Sequence, residues 1–275
     1  YTREDKPVGR KQVLTPPPVK VVAQQHNIPV FQPKSLRNAT EADNIQALAP
    51  QLIVVVAYGR ILPKEILDIP AYGCINLHVS LLPKYRGAAP IQWSVINGDA
   101  ATGVTITYMD EGLDTGDIIC VAPVAIGSEE TAGELFLRVA AQGTATLCEA
   151  IASIENGTAT RTPQNHSQAT QAPPLTKEMA CFDFTKPAQQ LHNLIRGLNP
   201  WPMAYFLHED KKVKVQCATV VDQKGAVGEI LSTKPLVVAC ETQALQLCRV
   251  VPEGKGAMDA EAWALGRRFT VGDKF

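Results

Sequence analysis

The side chains best suited to chemistry lie between residues 74 and 117, where an amide, an imidazole and a carboxylate occur in turn. Asn76 and His78 stand two residues apart in a short apolar run, and residues i and i+2 of a strand share one face. Both side chains can donate hydrogen bonds to an oxyanion formed during acyl transfer. Asp114, in an acidic loop after a second strand-like run, would orient the histidine. We therefore expect these three side chains to converge at the ends of two strands.

Other interpretations of this stretch have less support, although one of them stays open. A lone histidine in an apolar strand is often a core residue, and His78 also fits that description. The downstream acidic residues lack the spacing of a calcium-binding loop, so we expect no metal site. Ser80 has no Gly-x-Ser-x-Gly elbow around it, and no cysteine carries a catalytic pattern. Direct attack by a substrate amine is therefore favoured over a covalent intermediate on the protein.

The loop after the first strand, residues 80–87, is rich in proline and glycine. Its two basic side chains, Lys84 and Arg86, have two interpretations that both stay open. They could bind an anionic ligand, or they could form an ordinary solvated loop face.

The composition is that of an ordinary protein with enough apolar material for a core. The chain has 275 residues, of which 45% are hydrophobic and 19% charged, which allows one large domain or two smaller ones. A formal net charge of -1 excludes a global attraction to nucleic acid. Any nucleic-acid partner must therefore be held by a local basic patch.

The cysteines and the apolar runs bear on the cellular compartment. Seven cysteines, an odd number with no Cys-x-x-Cys pair, argue against a disulfide framework or a zinc site. We expect reduced and mostly buried thiols, as in the cytoplasm. No stretch approaches the roughly 18 apolar residues of a membrane span, and we recognise no secretory signal. The sequence therefore predicts a cytoplasmic protein without a membrane partner.

Strands and helices alternate up to residue 157, after a basic, proline-rich loop at residues 1–18. The continuous apolar run 52–58 predicts a strand that is buried on both faces of a parallel sheet. Such alternation implies an open α/β sheet, in which ligands bind beyond the carboxyl ends of the strands. The predicted strands are 29–31, 52–58, 75–79, 104–109 and 118–124. The predicted helices are 19–26, 38–48, 64–68 and 90–96, and a long one from the Thr131–Glu134 capping box to Asn156-Gly157.

The carboxyl-terminal part has a different pattern. Residues 158–178 are dominated by Thr, Gln, Ala and Pro without an apolar period, which predicts a linker. Several short strands separated by turn residues follow, and they favour a small barrel or sandwich. The predicted elements are a helix at 187–198, strands at 213–221, 227–232, 236–240 and 245–251, and a helix at 259–265.

Taken together, these motifs resemble the folate-dependent formyltransferases. The core of the resemblance is Asn76-Leu77-His78, then Ser80-Leu81-Leu82-Pro83 and Arg86-Gly87, with residues 112–117 (GLDTGD) downstream. Further segments, at 5–10, 18–20, 55–59, 87–92 and 199–202, are similar to members of the family that act on tRNA. The resemblance covers nearly the whole chain.

The resemblance implies a Rossmann-like formyltransferase domain with a mostly parallel sheet, followed by an OB-like β-barrel domain. The expected boundaries are 1–157 for the catalytic domain, 158–178 for the linker and 179–275 for the barrel. The implied reaction moves a formyl group from 10-formyltetrahydrofolate to the amino group of initiator methionyl-tRNA, during translation initiation. We expect a monomer with no metal cofactor.

The resemblance also assigns roles to individual residues. Asn76, His78 and Asp114 match the catalytic residues of the family, and Ser80, Leu81, Leu82 and Pro83 match its folate-binding segment. Arg10 and Lys11 lie in the loop that contacts tRNA in the family. Lys211, Lys212 and Lys214 are candidates for a basic patch on the barrel, where phosphate contacts would make binding sensitive to salt.

The start of the chain departs from the family pattern. The family opens with a strand, a helix and a second strand, whereas this sequence begins at the basic loop after them. We therefore expect a fragment of a longer chain or an altered fold, with open sheet edges. Two alternatives stay open: a tRNA-binding fragment without catalysis, and a formyltransferase or hydrolase that uses 10-formyltetrahydrofolate with another substrate.

Overall fold

The computed structural model describes residues 1–9 and 11–275, and its first half alternates strands with helices. The elements of this half are β1 (Lys6–Val8), β2 (Val13–Thr15), α1 (Pro18–Gln25), α2 (Ala39–Ala47), β3 (Ile53–Val56), α3 (Lys64–Leu67), β4 (Cys74–His78), β5 (Arg86–Gly87), α4 (Pro90–Ile96), β6 (Ala101–Tyr108), β7 (Ile118–Ala125) and α5 (Ala132–Glu155). Four of the strands form one sheet in the order β3-β4-β6-β7, in which β3 runs parallel to β4. The predicted helices of this half are confirmed within a few residues.

The strand β3 lies at the edge of this sheet, so the prediction that it is buried on both faces is wrong. Its residues alternate between half-buried and exposed, and Val54 and Val56 are 40% and 51% exposed. Ile53 and Val55 pack on the other side against a small apolar core. That core consists of Leu36, Ile45, Leu62, Ile66 and Cys74. An apolar run alone does not reveal whether one or two faces of a strand are covered, because neighbouring elements decide this.

The first 31 residues also differ from the predictions. Instead of an unbroken loop, β1 and β2 pair antiparallel as a short hairpin. Residues 29–31 do not form the predicted strand. The backbone N–H of Thr2 donates to the carbonyl of Phe31 at 2.9 Å, and the Tyr1 ring stacks on that of Phe31. The contacts of Phe31 are therefore made with the start of the chain, which its own β-propensity does not indicate.

The second half is dominated by an antiparallel sheet. Its elements are β8 (Gln171–Ala172), α6 (Ala188–Gly197), β9 (Tyr205–His208), β10 (Lys211–Val221), β11 (Ile230–Thr233), β12 (Leu236–Ala239), β13 (Ala244–Pro252), β14 (Met258–Asp259) and α7 (Ala260–Arg267). The six strands other than β8 form one sheet in the order β11-β12-β13-β10-β9, with β14 paired to β13. Phe206, Leu245 and Trp263 belong to the apolar core that this sheet shares with α6 and α7. The predicted strands and helices of this half are confirmed within a few residues, and β8, β9 and β14 are additional strands.

The segment 158–178, which was predicted to be a linker, makes several backbone contacts. Thr162 and Ile118 exchange two hydrogen bonds of 2.8 and 3.0 Å. The strand β8 runs parallel to β5, and a Cβ on Gly87 would lie 2.8 Å from the carbonyl oxygen of Ala172. With a φ of 118° as well, position 87 accepts only glycine. The domain boundaries 1–157, 158–178 and 179–275 stay predictions.

The described chain divides into two compact units. The first consists of residues 1–78, 106–120 and 149–164, and the second of residues 79–105, 121–148 and 165–275. Within the ranges 1–9 and 11–275, no helix combines the length and the apolar character needed to cross a bilayer.

The seven cysteines are all free thiols, but they are not mostly buried as predicted. Cys74 and Cys240 are buried, whereas Cys148, Cys181 and Cys217 are exposed. Helices and strands have an outward face, and a small side chain such as that of cysteine fits there as well as in the core. An apolar neighbourhood in the sequence therefore does not establish the burial of one thiol.

Candidate active site

The three predicted catalytic side chains meet in the first unit. Asn76 and His78 lie on the same strand, β4, two residues apart. The Asn76 Nδ2 donates to the Asp114 Oδ1 at 3.3 Å, and the His78 Nδ1 lies 3.6 Å from the same oxygen. The side chains of His78 and Asp114 are only 6% and 12% exposed. The predicted convergence is therefore present, with one carboxylate oxygen between an amide and an imidazole.

The loop that carries Asp114, residues 109–117, is held in shape by its own side chains. The N–H of Tyr108 donates to the carbonyl of Asp117 at 2.9 Å, which closes the loop between β6 and β7. Asp110 accepts hydrogen bonds from the N–H of Gly112 at 3.0 Å and from the hydroxyl of Thr115 at 2.6 Å. A Cβ on Gly116 would lie 1.7 Å from the carbonyl oxygen of Tyr108. Glycine at that position thus permits the close approach that the loop requires.

Gln164, which the sequence patterns did not single out, contacts the same loop. Its Nε2 donates to the carbonyl oxygen of Asp114 at 2.9 Å and to that of Gly116 at 2.8 Å. The residue is 6% exposed although it lies in a polar segment without apolar periodicity. The sequence around Gln164 resembles that of any polar loop, so it gives no sign of this burial.

The predicted folate segment, residues 80–83, lies in the second unit and is held by one buried hydroxyl. The Thr105 Oγ1 donates to the carbonyl of Ser80 at 2.7 Å and accepts from the N–H of Leu82 at 3.1 Å. The Ser80 hydroxyl donates in turn to the carbonyl of Lys84 at 2.6 Å. Hydrogen bonds within the protein therefore hold the backbone of Ser80 and Leu82 and the Ser80 side chain. Thr105 is a further residue that the sequence patterns missed.

A pocket of about 610 Å³ adjoins this segment within the second unit. Leu81, Pro83, Lys84 and Tyr85 contribute to its wall, and its size is within the range of small-molecule sites. The Tyr85 hydroxyl donates to Asp99 at 2.7 Å. Burial raises the pKa of Tyr85 to about 12, an effect that the hydrogen bond from Asn97 opposes and Asp99 reinforces. Tyr85 is therefore a neutral hydrogen-bond donor at physiological pH.

The second basic side chain of the loop, Arg86, is buried rather than solvated. A guanidinium nitrogen of Arg86 lies 3.0 Å from the His166 Nδ1. The backbone N–H of Arg86 donates to the carbonyl of Thr170 at 2.9 Å. Lys84, by contrast, is exposed. The solvated-face interpretation is therefore wrong for Arg86, whereas both interpretations stay open for Lys84, which is exposed and also lines the pocket.

The predicted tRNA-binding residues are distributed over two regions. Arg10 lies outside the described residues, and Lys11 is an exposed residue of the turn between β1 and β2. Lys211, Lys212 and Lys214 all lie on β10. The ammonium of Lys212 lies 4.6 Å from the centre of the Tyr205 ring, a cation–π contact that holds this charge at the surface.

Lys211 and Lys212 line a second pocket, of about 380 Å³. Lys255 and Arg267 also line it, together with the acidic Glu209 and Glu253. Lys214 does not belong to this pocket. Across residues 1–9 and 11–275, no three His, Cys, Asp or Glu side chains form a group that could hold a metal ion.

Both halves of the chain match known protein families. Residues 1–151 match the family described as formyl transferase, and residues 174–268 match the formyl transferase C-terminal domain. The chain is 46% identical to the methionyl-tRNA formyltransferase of Alkaliphilus oremlandii, over 99% of this chain and 89% of that protein. It is 45% identical to the protein of the same name from Macrococcus caseolyticus, over 100% and 89% of the two chains.

Solved structures with low sequence identity share the fold. The N-formyltransferase of Helicobacter canadensis, in complex with folinic acid and dTDP-3-aminofucose, matches with a TM-score of 0.67 at 20% identity, over 90% of this chain and 87% of that one. HypX from Aquifex aeolicus, in complex with tetrahydrofolic acid, matches with a TM-score of 0.64 at 17% identity, over 89% and 43%. These structures support the fold, and the sequence relatives give the closer assignment. The chain belongs to the formyl transferase family, and within that family to the methionyl-tRNA formyltransferases.

Proposed function

We propose that this chain transfers the formyl group of 10-formyltetrahydrofolate to the amino group of methionine on initiator methionyl-tRNA. The observation that carries the proposal is the cluster of Asn76, His78 and Asp114, an amide and an imidazole on one carboxylate. The relatives named methionyl-tRNA formyltransferase, at 45–46% identity over nearly the whole chain, support the choice of donor and acceptor.

The donor set of the cluster suits an acyl transfer. When bound, the folate supplies the formyl group, whose carbon gains a bond to the amine nitrogen and loses its bond to N10. Asn76 uses one N–H on Asp114, and a carboxamide has a second N–H that can donate to the developing oxyanion. With the Nδ1 of His78 facing Asp114, the Nε2 is the ring nitrogen that would reach the same oxyanion.

Protons must also move for the transfer to balance. The attacking amine loses one proton and N10 gains one as it leaves. The Asp114 carboxylate, which positions His78, would help to remove the amine proton, and N10 would gain its proton from the same group or from solvent. The distance of 3.6 Å between the His78 Nδ1 and the Asp114 Oδ1 is longer than a hydrogen bond. Such contacts often shorten only when substrates bind.

The remaining predicted residues fit the binding of the two substrates. Residues 80–83, held by Thr105, would form a fixed wall for the folate. Lys11, Lys211, Lys212 and Lys214, and Arg10 by its family resemblance, would bind tRNA phosphates, so affinity would fall as salt rises. On this proposal a Rossmann-like domain with a mostly parallel sheet carries the chemistry, and an OB-like barrel carries part of the tRNA contact. We further propose that the protein acts as a cytoplasmic monomer.

The test is formylation of charged initiator tRNA by the purified chain. Asn76→Ala and His78→Ala should each lower turnover by about 10²–10³-fold, because each removes one donor to the oxyanion. Folate binding, followed by tryptophan fluorescence, should be largely retained. His26→Ala, which changes an exposed histidine, is the control and should leave turnover unchanged.

Parallel assays with an amino sugar nucleotide, and with water alone, test the other acceptors. Formylation of methionyl-tRNA well above these reactions is the expected result. Turnover of a small amine without any product on methionyl-tRNA would reject the proposed acceptor. Near-normal turnover of both variants would reject the catalytic assignment.

A further inference from the structure

Gln164 is a buried polar residue that connects a segment of polar, aperiodic sequence to the catalytic loop. Its side-chain amide nitrogen donates to two carbonyl oxygens of that loop, those of Asp114 at 2.9 Å and Gly116 at 2.8 Å. The residue is 6% exposed. Buried carbonyl groups need donors, and a single NH₂ group supplies two. The pair of bonds therefore fixes the backbone of residues 114–116 at two points.

The backbone of Asp114 needs such support. Its φ is 53°, in the left-handed region that L-residues adopt at a cost. Aspartate tolerates this conformation better than most residues. A change in φ would swing the carboxylate away from the Asn76 Nδ2 and the His78 Nδ1, which lie 3.3 and 3.6 Å from its Oδ1. The position of the carboxylate thus depends on the backbone that Gln164 holds.

We propose that Gln164 is a positioning residue for the reaction, which keeps the Asp114 carboxylate in register with Asn76 and His78. It acts through the loop backbone and touches no reacting atom. This inference rests on the proposed function, since it concerns the rate of the same formyl transfer. It also means that residues up to 164 belong functionally to the catalytic site.

The test is a comparison of steady-state kinetics for Gln164→Met and Thr160→Val. Methionine has nearly the shape of glutamine but no N–H group, so Gln164→Met should lower kcat by up to about 100-fold. The KM values for the folate and the charged tRNA should stay within about threefold. Thr160 is the matched control, because its hydroxyl donates to the carbonyl of Ile119 at 3.2 Å from the same segment. Its replacement should leave kcat unchanged.

A double-mutant cycle with Asp114→Asn distinguishes positioning from a general loss of structure. If Gln164 acts through the carboxylate, Gln164→Met should lower kcat only slightly further in a protein that already carries Asp114→Asn. The inference would be overturned if Gln164→Met lowered kcat by the same factor in the Asp114→Asn protein as in the wild type. It would also be overturned if Gln164→Met alone had a normal kcat. If Gln164→Met does not fold, Gln164→Asn is measured in its place. Asparagine keeps the N–H donors on a side chain that is one methylene shorter, and the expected changes in kcat and KM are the same.

Failure of the proposed function would look different from failure of this inference. A wild-type chain that forms no product on methionyl-tRNA would contradict the proposed function. A wild-type chain that is active, with Gln164 variants that behave like the Thr160 control, would contradict only the positioning role.

Discussion

At the scale of single residues, Asp114 combines two properties that its position requires. Its carboxylate lies between the Asn76 amide and the His78 imidazole, and its backbone is left-handed with a φ of 53°. Few side chains favour that backbone, and aspartate is the charged residue that adopts it most readily. The proposed chemistry and the local fold therefore favour the same amino acid.

The two properties can be separated by substitution. Asp114→Asn keeps the backbone preference but removes the charge, whereas Asp114→Ala removes both. Both variants should lose most of their turnover in the formylation assay. Asp114→Ala should in addition be less stable than Asp114→Asn by about 1 kcal/mol, measured by urea unfolding. Glu111→Ala, an exposed change in the same loop, is the control, and equal stability of Asp114→Ala and Asp114→Asn would contradict the backbone argument.

The residues of the candidate site differ in how well they can be predicted from the sequence. Asn76 and His78 were predictable because a strand places residues i and i+2 on one face. Asp114 was predictable as the acidic residue after the next strand. Gln164 was not, because its contacts are with backbone carbonyls 48 and 50 residues away. Every residue has a backbone carbonyl, so the sequence gives no signal for a contact with one.

At the scale of elements, two of the buried threonines of β6, Thr102 and Thr105, have different roles. Thr105 is hydrogen-bonded through its hydroxyl to the backbone of Ser80 and Leu82. The Thr102 hydroxyl is buried without a hydrogen-bond partner among the residues that the structure describes. The two residues have nearly the same burial, 0% and 2% exposed. They therefore form a matched pair within one strand.

Valine has the shape of threonine without its hydroxyl, so the same change at both positions isolates the hydrogen bonds. Thr105→Val leaves the N–H of Leu82 without its acceptor and should destabilise the protein by about 1–3 kcal/mol. It should also raise KM for the folate if residues 80–83 bind it. Thr102→Val removes an unpaired buried hydroxyl and should be neutral or stabilising. Thermal unfolding of both variants checks this, and equal destabilisation would contradict the role given to Thr105.

Local patterns predicted elements well where the element is long and periodic. The helix α5 was predictable from its capping box, in which the Thr131 hydroxyl donates to Glu134 at 2.7 Å. The hairpin of β1 and β2 was not, because proline and charged residues there are typical of a loop. The exposure of β3 was not either, because it depends on which elements lie beside the strand.

At the scale of the whole molecule, one buried histidine links stability to pH. The His192 Nε2 lies 3.1 Å from the Glu129 Oε2, and the His192 side chain is 5% exposed. Burial lowers the pKa of His192, and Arg196 lowers it further while Glu129 opposes both. Because the Glu129 side chain is 64% exposed, water screens its attraction. The neutral imidazole is therefore favoured in the folded protein.

The sign of the pH effect follows from this lowered pKa. Below the ordinary histidine value of about 6.5, the unfolded chain binds a proton at this residue more readily than the folded chain. Stability should therefore fall as pH decreases from about 6.5 toward the lower folded pKa. In His192→Gln this part of the pH dependence should be weaker, as measured by urea unfolding between about pH 5 and 7.5. His26→Gln should keep the wild-type dependence, and an unchanged slope in His192→Gln would contradict the assignment.

The contacts of residues 160–173 have a consequence for how the protein is made. The Arg86 guanidinium contacts a residue 80 positions later, and the N–H of Tyr85 bonds to one 85 positions later. At roughly 5–20 residues per second of synthesis, these partners emerge about 4–17 s apart. During that interval the nascent chain lacks the His166 contact of Arg86, and the loop that carries Asp114 is likewise without Gln164, which comes 50 positions after Asp114. The carbonyls of Asp114 and Gly116 thus receive their Gln164 donor late, from a part of the chain outside the predicted catalytic residues.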